Sequence, residues 1–239
     1  MSASSSEHGA PGAANPAPVF LNFAFFKVDP KWRWLNEIGK GEAARELASL
    51  VQAADTKMMA MRVRTYSTLG LREDADLMFW MISDSLEKTQ AFTSKLYSTV
   101  FGKYLAPSYV YLAASRPSIY SGKLAQSYLT DAPPLKYVIV YPFVKTREWY
   151  LLSFEARKEM MEEHGMIGRR FPQVRLNTSY SFGLDDQDFM LAFETEDLSA
   201  WQDLIMQLRE SKASRYVVRD TPMLLCVKKD IEEIVRSIG

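Results

Sequence analysis

The pattern of apolar and polar positions along the chain predicts one order of elements twice. The first half reads as strand 19–28, helix 41–54, strand 57–68, strand 76–83, helix 85–99 and strand 108–114. The second half reads as strand 135–145, helix 153–169, strand 174–182, strand 188–194, helix 197–209 and strand 223–227, with a short closing helix at 229–238. Both halves have the βαββαβ order of ferredoxin-like folds, so the predicted class is α+β.

An internal repeat supports this division of the chain. Segment 76–86 resembles segment 188–198 at a spacing of 112 residues, and each follows a Gly-Leu turn, at Gly70 and at Gly183. A tandem duplication is the simplest interpretation.

The predicted organisation has four parts: a disordered tail at 1–17, a ferredoxin-like half at 18–114, a Ser/Pro-rich linker at 115–134, and a second half at 135–239 that binds the ligand. Two such sheets cover each other's free faces as a dimeric α+β barrel. A cavity between one sheet and its helices is then the natural ligand site.

Composition excludes several classes of function. The 29 basic and 29 acidic residues cancel, so the chain has no basic field for nucleic acid and no polybasic membrane anchor. No apolar segment reaches the roughly 18 residues of a membrane span, and the start of the chain does not resemble a signal peptide. The single cysteine, Cys226, lies in an apolar run and is interpreted as a buried strand thiol. A reducing, cytoplasmic location fits best.

Histidine is scarce in this sequence and is its first candidate for chemistry. Of the two histidines, His8 lies in the Ser/Gly/Ala/Pro tail, whereas His164 shares a helical stripe with Met160, Met161 and Ile167. A neutral imidazole in an apolar wall is typical of a proximal haem ligand. A core histidine hydrogen-bonded to a backbone carbonyl is the alternative on periodicity alone.

The strand before that helix carries a second candidate group. Period 2 places Tyr141 and Lys145 on one face, provided that Pro142 does not break the alternation. Trp149 and Tyr150 follow and add aromatic surface. Each aromatic residue could simply fill the core. A phenol beside a lysine can also give up an electron or a proton, or bind a carboxylate.

Together these motifs resemble a known family. They are Tyr-Pro-x-x-Lys at 141–145, Trp-Tyr at 149–150, Glu-Ala-Arg-Lys-x-Met-x-x-Glu-His-Gly-Met-Ile-Gly-Arg at 155–169, and Gly-Leu-Asp-Asp at 183–186. The chain thus resembles the chlorite dismutase superfamily, and within it the coproheme decarboxylases. The resemblance extends from about Val19 onward, and its functional motifs lie between 135 and 186.

The resemblance implies a role for each matching residue. His164 would bind the iron, Tyr141 would form the radical that attacks the propionates, and Lys145 would assist at the second propionate. Trp149 would form part of the haem wall, and Arg215 would anchor a propionate. The implied substrate and redox cofactor is Fe-coproporphyrin III (coproheme), the co-substrate is hydrogen peroxide, and the product is haem b. The implied assembly is a homopentamer.

Two departures from the family pattern bear on the reaction. Counting back from Gly183, the distal position that is arginine in chlorite dismutases and glutamine in many decarboxylases is Leu176, with Arg175 and Asn177 on either side. Ala213 takes the place of the glutamate that bonds the proximal histidine in the dismutases, so the histidine lacks an anionic partner. Both departures argue against chlorite chemistry. A chlorite dismutase and a non-catalytic haem-binding protein remain the alternatives.

Overall fold

The predicted βαββαβ order is present twice in the structure, a computed structural model that describes residues 17–55, 61–122 and 126–239. The first half comprises β1 Phe20–Val28, α1 Glu37–Ala54, β2 Met61–Ser67, β3 Leu77–Ser83, α2 Leu86–Ser98 and β4 Leu105–Ala114. The second comprises β5 Tyr137–Lys145, α3 Arg147–Leu151, α4 Phe154–Arg169, β6 Val174–Tyr180, β7 Phe189–Thr195, α5 Leu198–Arg209, β8 Val217–Arg219, β9 Leu224–Lys228 and α6 Ile231–Ser237. The pattern did not predict α3 and β8. Except for the exposed Ala17, the predicted disordered tail with His8 lies outside the described residues, as do positions 57–60.

Matching hydrogen bonds support the tandem repeat. Asp76 Oδ2 accepts the backbone N–H of Val28 at 2.9 Å, and Asp188 Oδ2 accepts that of Lys145 at 2.8 Å. Val28 and Lys145 are the last residues of the first strand of their halves. The turn before each aspartate contains a glycine at positive φ, +74° at Gly70 and +71° in the second half, a conformation that other residues rarely adopt.

Helix α1 begins four residues before its predicted start. Asn36 caps it, because its side-chain oxygen accepts the N–H of Gly39 at 2.8 Å. The glycines at 39 and 41 have low helix propensity, so the sequence pattern does not predict this first turn as helix.

The strands of both halves form one closed sheet. Neighbouring strands follow the order β7, β6, β4, β1, β3, β2, β9, β5, and β5 pairs in turn with β7, while β8 is added on β5. The halves join where β2 pairs with β9 at Tyr66 and Ser67, and where Ala114 of β4 pairs with Tyr180 of β6. Every pairing in this ring is antiparallel, which confirms the α+β class.

Three apolar clusters fill the fold. One lies inside the ring and draws on both halves, with Phe23, Trp80, Val138, Met190 and Cys226 among its members. The second lies between the first half's sheet face and helices α1, α2 and α6, and the third lies between the second half's sheet face and helices α4 and α5. Cys226 is fully buried, as expected of a strand thiol, and burial raises the pKa of that thiol. None of the helices in the described ranges is both long and apolar enough to cross a bilayer.

Part of the predicted linker packs against the fold. A 3-10 turn at Ser127–Leu129 inserts Tyr128 into the ring, where its ring centroid lies 5.9 Å from that of Trp80. Residues 123–125 lie outside the described ranges. The boundaries of the halves at 115–134 stay a prediction.

Candidate functional site

A cavity of about 690 Å³ lies between the second half's sheet face and its helices. Strands β5, β6 and β7 form one wall, and helices α4 and α5 form the facing wall. Residues between 116 and 121, together with Gln126, complete the lining. The volume is within the range of roughly 300–1,000 Å³ that is usual for small-molecule and cofactor sites. The lining is mainly apolar and includes Phe143, Trp149, Met161, Leu176, Phe189, Leu191, Phe193, Ile205, Leu208 and Met223.

Strand β5 points Tyr141, Phe143 and Lys145 into this cavity. The alternation continues through Pro142, which pairs with Met190 of β7 on one side. On its other side β5 pairs with β9 only as far as Val140, and with β8 only from position 144. Proline therefore lies at a gap in the pairing, where its missing N–H costs no ladder bond.

Tyr141 is held rigidly in the wall. Its ring stacks on Phe193 at a centroid distance of 6.0 Å and an angle of 5°, and it also contacts Trp201 at 6.4 Å. The side chain is 3% exposed, and burial raises the pKa of the phenol. The phenol is thus neutral at any working pH and is fixed by packing rather than by a hydrogen bond to a base.

His164 lies on the facing wall, in α4, beside Met161 and Gly165. Burial, together with the positive charge of Lys145, lowers the pKa of the imidazole to about 4. Its Nδ1 atom is buried and has no hydrogen-bond partner among the described residues. The imidazole is therefore neutral and keeps a lone pair free for a ligand. The alternative of a histidine bonded to a backbone carbonyl finds no such bond in the described structure.

Lys145 projects from the sheet wall and lies close enough to His164 for its charge to act on the imidazole. Its Nζ atom donates to the carbonyl oxygen of Ala213 at 2.8 Å and lies 4.3 Å from the ring centroid of Trp149. Burial lowers the pKa of the ammonium group to about 8. Trp149 is 3% exposed and packs on Tyr216 at 5.5 Å, so it forms a fixed wall beside the lysine. Ala213 contributes only its backbone here and offers His164 no carboxylate.

The structure resolves which residue of β6 faces the cavity. Leu176 and Thr178 line it, as the count from Gly183 predicts for position 176. Asn177 points to the opposite face, where it is 1% exposed and bonds to Glu194. Arg175 also points away and donates to the carbonyl of Pro133 at 3.0 Å. No arginine of this strand can therefore reach the cavity.

Arg215, which the resemblance implies as a propionate anchor, does not line this cavity. It is an exposed residue of the 3-10 helix Lys212–Tyr216. Ala213 and Tyr216, three residues apart, face inward from this helix, and period 3 places Arg215 on the outer side.

Arg116 and Arg209 line the cavity instead, and Arg209 pairs with Asp220 at 2.9 Å. Sequence reasoning missed both arginines. Arg209 ends a helix, where a cation is ordinary, and Arg116 lies in a segment that reads as a linker.

The linker also brings polar groups that the sequence did not single out. Ser118, Tyr120 and Gln126 line the cavity, and Tyr120 stacks on Phe154 of α4 at 5.9 Å. Their only signal in the sequence is the mixture of aromatic and polar residues in a stretch that reads as a flexible connection.

Comparison with known proteins identifies the family. The chlorite dismutase family model matches residues 40–229. The chain belongs to the chlorite dismutase family. It is 33% identical over 229 residues to coproheme decarboxylase from Mycolicibacterium smegmatis, and this alignment covers 95% of this chain and 96% of that protein. It is 27% identical over 233 residues to chlorite dismutase from Ideonella dechloratans, and this alignment covers 92% of this chain and 80% of that protein.

A solved structure supports the same assignment. Chlorite dismutase from Candidatus Nitrospira defluvii, in complex with imidazole, matches with a TM-score of 0.82 and 30% identity over 92% of this chain and 94% of that one.

The residues present fit an iron porphyrin. A flat apolar macrocycle suits the aromatic and aliphatic walls, and a neutral histidine is an ordinary axial ligand for its iron. The buried, unpartnered Nδ1 of His164 is the observation that points to such a role, because no group of the described residues satisfies this imidazole. Lys145, Arg116 and Arg209 also line the cavity and would supply cations for the carboxylates of such a macrocycle.

Proposed function

We propose that this chain is a coproheme decarboxylase, which converts Fe-coproporphyrin III to haem b with hydrogen peroxide. The observation that carries the proposal is the pairing, in one apolar cavity, of a neutral histidine on the helix wall with a buried tyrosine on the sheet wall. A haem carrier needs the first group and has no use for the second. Coproheme is both substrate and redox centre in this proposal.

The proposed reaction balances for each propionate. The carboxylate leaves as carbon dioxide, the adjoining two carbons become a vinyl group, and one hydrogen peroxide with one proton becomes two waters. Two propionates react, so two peroxides are consumed. The bound porphyrin supplies the redox chemistry.

Tyr141 is the proposed hydrogen acceptor at the propionate. Its phenol is kept neutral by burial, and the stack on Phe193 fixes its position. A neutral phenol can lose its O–H hydrogen as an electron and a proton and then take a hydrogen from the carbon next to the ring. The protein's part is to keep this oxygen in place and to exclude water from it.

Lys145 is the proposed partner of a carboxylate. One N–H of its ammonium group is used by Ala213, so two donors remain. Arg209 replaces Arg215 in this proposal as an anchor, because it lines the cavity and its charge acts on the Tyr141 phenol. His164 is the proposed axial ligand, and Trp149 fixes the lysine beside it.

Leu176 and Ala213 support decarboxylation over chlorite dismutation. An arginine above the iron would stabilise a chlorine oxyanion, and β6 offers leucine there. A carboxylate on the axial histidine would strengthen its donation to the iron, and Ala213 offers none. The named relative with 33% identity is likewise a decarboxylase, against 27% for the dismutase from Ideonella dechloratans.

Mass spectrometry of the bound porphyrin tests this function. The purified protein is loaded with coproheme and titrated with hydrogen peroxide, and the porphyrin is extracted after each addition. The proposal expects stepwise loss of two carboxyl groups and accumulation of haem b. Unchanged coproheme would favour a non-catalytic haem-binding protein, and rapid oxygen evolution from chlorite, roughly a thousand turnovers per second or more, would favour a dismutase.

We also propose a homopentamer in the cytoplasm. Light scattering on the loaded protein would measure the number of subunits, and fractionation of cells would locate the chain.

A further inference from the structure

We propose that Gln126, from the segment between the halves, supplies the hydrogen-bond donor on the side of the porphyrin opposite His164. This inference rests on the proposed binding of coproheme at His164. Leu176 leaves the sheet wall without a polar group at the register where relatives are expected to have one. Gln126 lines the same cavity and comes from outside the strand.

The orientation of the Gln126 amide is fixed by its own hydrogen bond. Its Oε1 accepts the backbone N–H of Thr178 at 2.8 Å. Only the oxygen of an amide can accept, so the NH₂ group must point away from the strand. Neither of its N–H donors has a hydrogen-bond partner among the described residues. The nitrogen is not among the buried side-chain atoms that lack a partner, so it is accessible. Both donors are therefore free on a side chain that lines the cavity.

The wall that holds Gln126 faces the histidine. Thr178 belongs to β6, whose Leu176 also lines the cavity, whereas His164 belongs to α4 on the facing wall. A macrocycle between these walls would have the imidazole on one face and the Gln126 donors towards the other. An anion on that second face would accept from an N–H₂ group in mainly apolar surroundings, where such a bond is stronger than in water.

A buried polar network holds the backbone beside Gln126. The N–H of Ser127 donates to Asn177 Oδ1 at 2.8 Å, and the Ser127 hydroxyl lies 2.7 Å from Glu194 Oε2. Asn177 Nδ2 donates to Glu194 at 3.0 Å, and Glu194 is fully buried beside Arg64. Because Asn177 faces away from the cavity while Thr178 faces into it, one stretch of β6 anchors both the backbone and the side chain. These hydrogen bonds therefore fix both the backbone next to Gln126 and its side chain.

Fluoride binding to the ferric, porphyrin-loaded protein tests this inference. Fluoride only accepts hydrogen bonds, so its affinity reports donors on the open face. Gln126→Leu keeps the volume and removes both donors, and it should weaken fluoride about tenfold or more, as expected for a lost bond to an anion. Gln126→Glu places an acceptor there and should weaken fluoride further. Affinity for neutral imidazole should change about threefold at most, since imidazole does not depend on that donor.

Gln202→Leu is the matched control, because it makes the same change at an exposed position of α5. It should leave fluoride affinity as in the wild type. Unchanged fluoride affinity in Gln126→Leu, with a normal histidine-ligated spectrum, would overturn the inference and leave the proposed function standing. A wild-type protein that shows no histidine-ligated porphyrin would overturn both.

Discussion

The two halves of this chain share one order of elements and use the layer between sheet and helices in opposite ways. In the first half that layer is solid core, and α1 buries Ala43, Ala44 and Leu47 in it. In the second half α4 has no fully buried residue, His164 being half-buried, and the layer opens into the cavity. A duplicated fold can thus keep one copy for stability while the other copy gives up packing for a ligand.

Equivalent strand positions show the same contrast. Strands β1 and β5 each contain nine residues, and the matching aspartate bonds align Val28 with Lys145. On this alignment Ala24 corresponds to Tyr141. Ala24 and Val28 are buried members of the first half's core, whereas Tyr141 and Lys145 line the cavity. The second half therefore has reactive side chains at positions where the first half has small apolar ones.

Removal of the Tyr141 hydroxyl should have the largest effect. Tyr141→Phe keeps the ring and its stack on Phe193, so folding and coproheme binding should change little. It removes the oxygen that accepts hydrogen, and decarboxylation should fall at least about a hundredfold. Tyr66→Phe is the matched control, since Tyr66 is fully buried in the ring interior and lines no part of this cavity. Formation of haem b at the wild-type rate by Tyr141→Phe would show that the proposed mechanism is wrong.

A leucine-to-alanine substitution, made once in the sheet–helix layer of each half, measures how differently the two layers are packed. Leu77→Ala removes a fully buried side chain from the first half's core and should cost about 2–5 kcal/mol of unfolding free energy. Leu191→Ala acts on a partly buried side chain at the cavity and should cost less than about 1.5 kcal/mol. Urea unfolding of the apo-protein gives both values. Equal losses would contradict the description of one layer as core and the other as site.

Lys145 should separate the two decarboxylation steps. Lys145→Ala removes the donor assigned to the second propionate while Tyr141 remains, so the first carboxyl group should still be lost. The product should stall as the three-propionate porphyrin, which mass spectrometry distinguishes from haem b by one carboxyl group. Full conversion at the wild-type rate would remove Lys145 from the mechanism.

The pH dependence of apo-protein stability should report the burial of His164. The pKa of this imidazole is about 4 in the folded chain and near the ordinary 6.5 when unfolded. Between these values the unfolded chain binds more protons, so the unfolding free energy should fall as pH falls from 6.5 to 4. His164→Leu lacks this group and should lose less stability over that range. Equal losses from pH 7 to pH 5 in urea titrations would contradict the buried, neutral imidazole.

The hydrophobic periodicity and the internal repeat were sufficient to predict the fold class and the order of the helices and strands. The repeat at 76–86 and 188–198 marks equivalent strands, and the stripe around His164 marks the helix that faces the cavity. Helix α1 began earlier than predicted because its first turn contains two glycines. The short α3 and β8 were missed, because five and three residues are too few to show a period.

The site was predicted only in part, because side chains from segments without periodicity complete it. Tyr141, Lys145, Trp149, His164 and Leu176 all line the cavity. Arg215 does not, since the turn of a short 3-10 helix decides which way it points. Arg116 and Gln126 enter from a stretch that reads as a linker, and its packing depends on Asn177 and Glu194 far along the chain.

Titration of the apo-protein with ferric coproheme, for wild type and His164→Ala, tests the central claim most directly. The account predicts a histidine-ligated spectrum for the wild type and its loss in His164→Ala, while urea unfolding shows that the variant apo-protein is still folded. It also predicts that no other residue replaces the ligand, because His164 is the only histidine among the described residues. An unchanged coproheme spectrum in folded His164→Ala would contradict the account, and the open layer of the second half would then need another explanation.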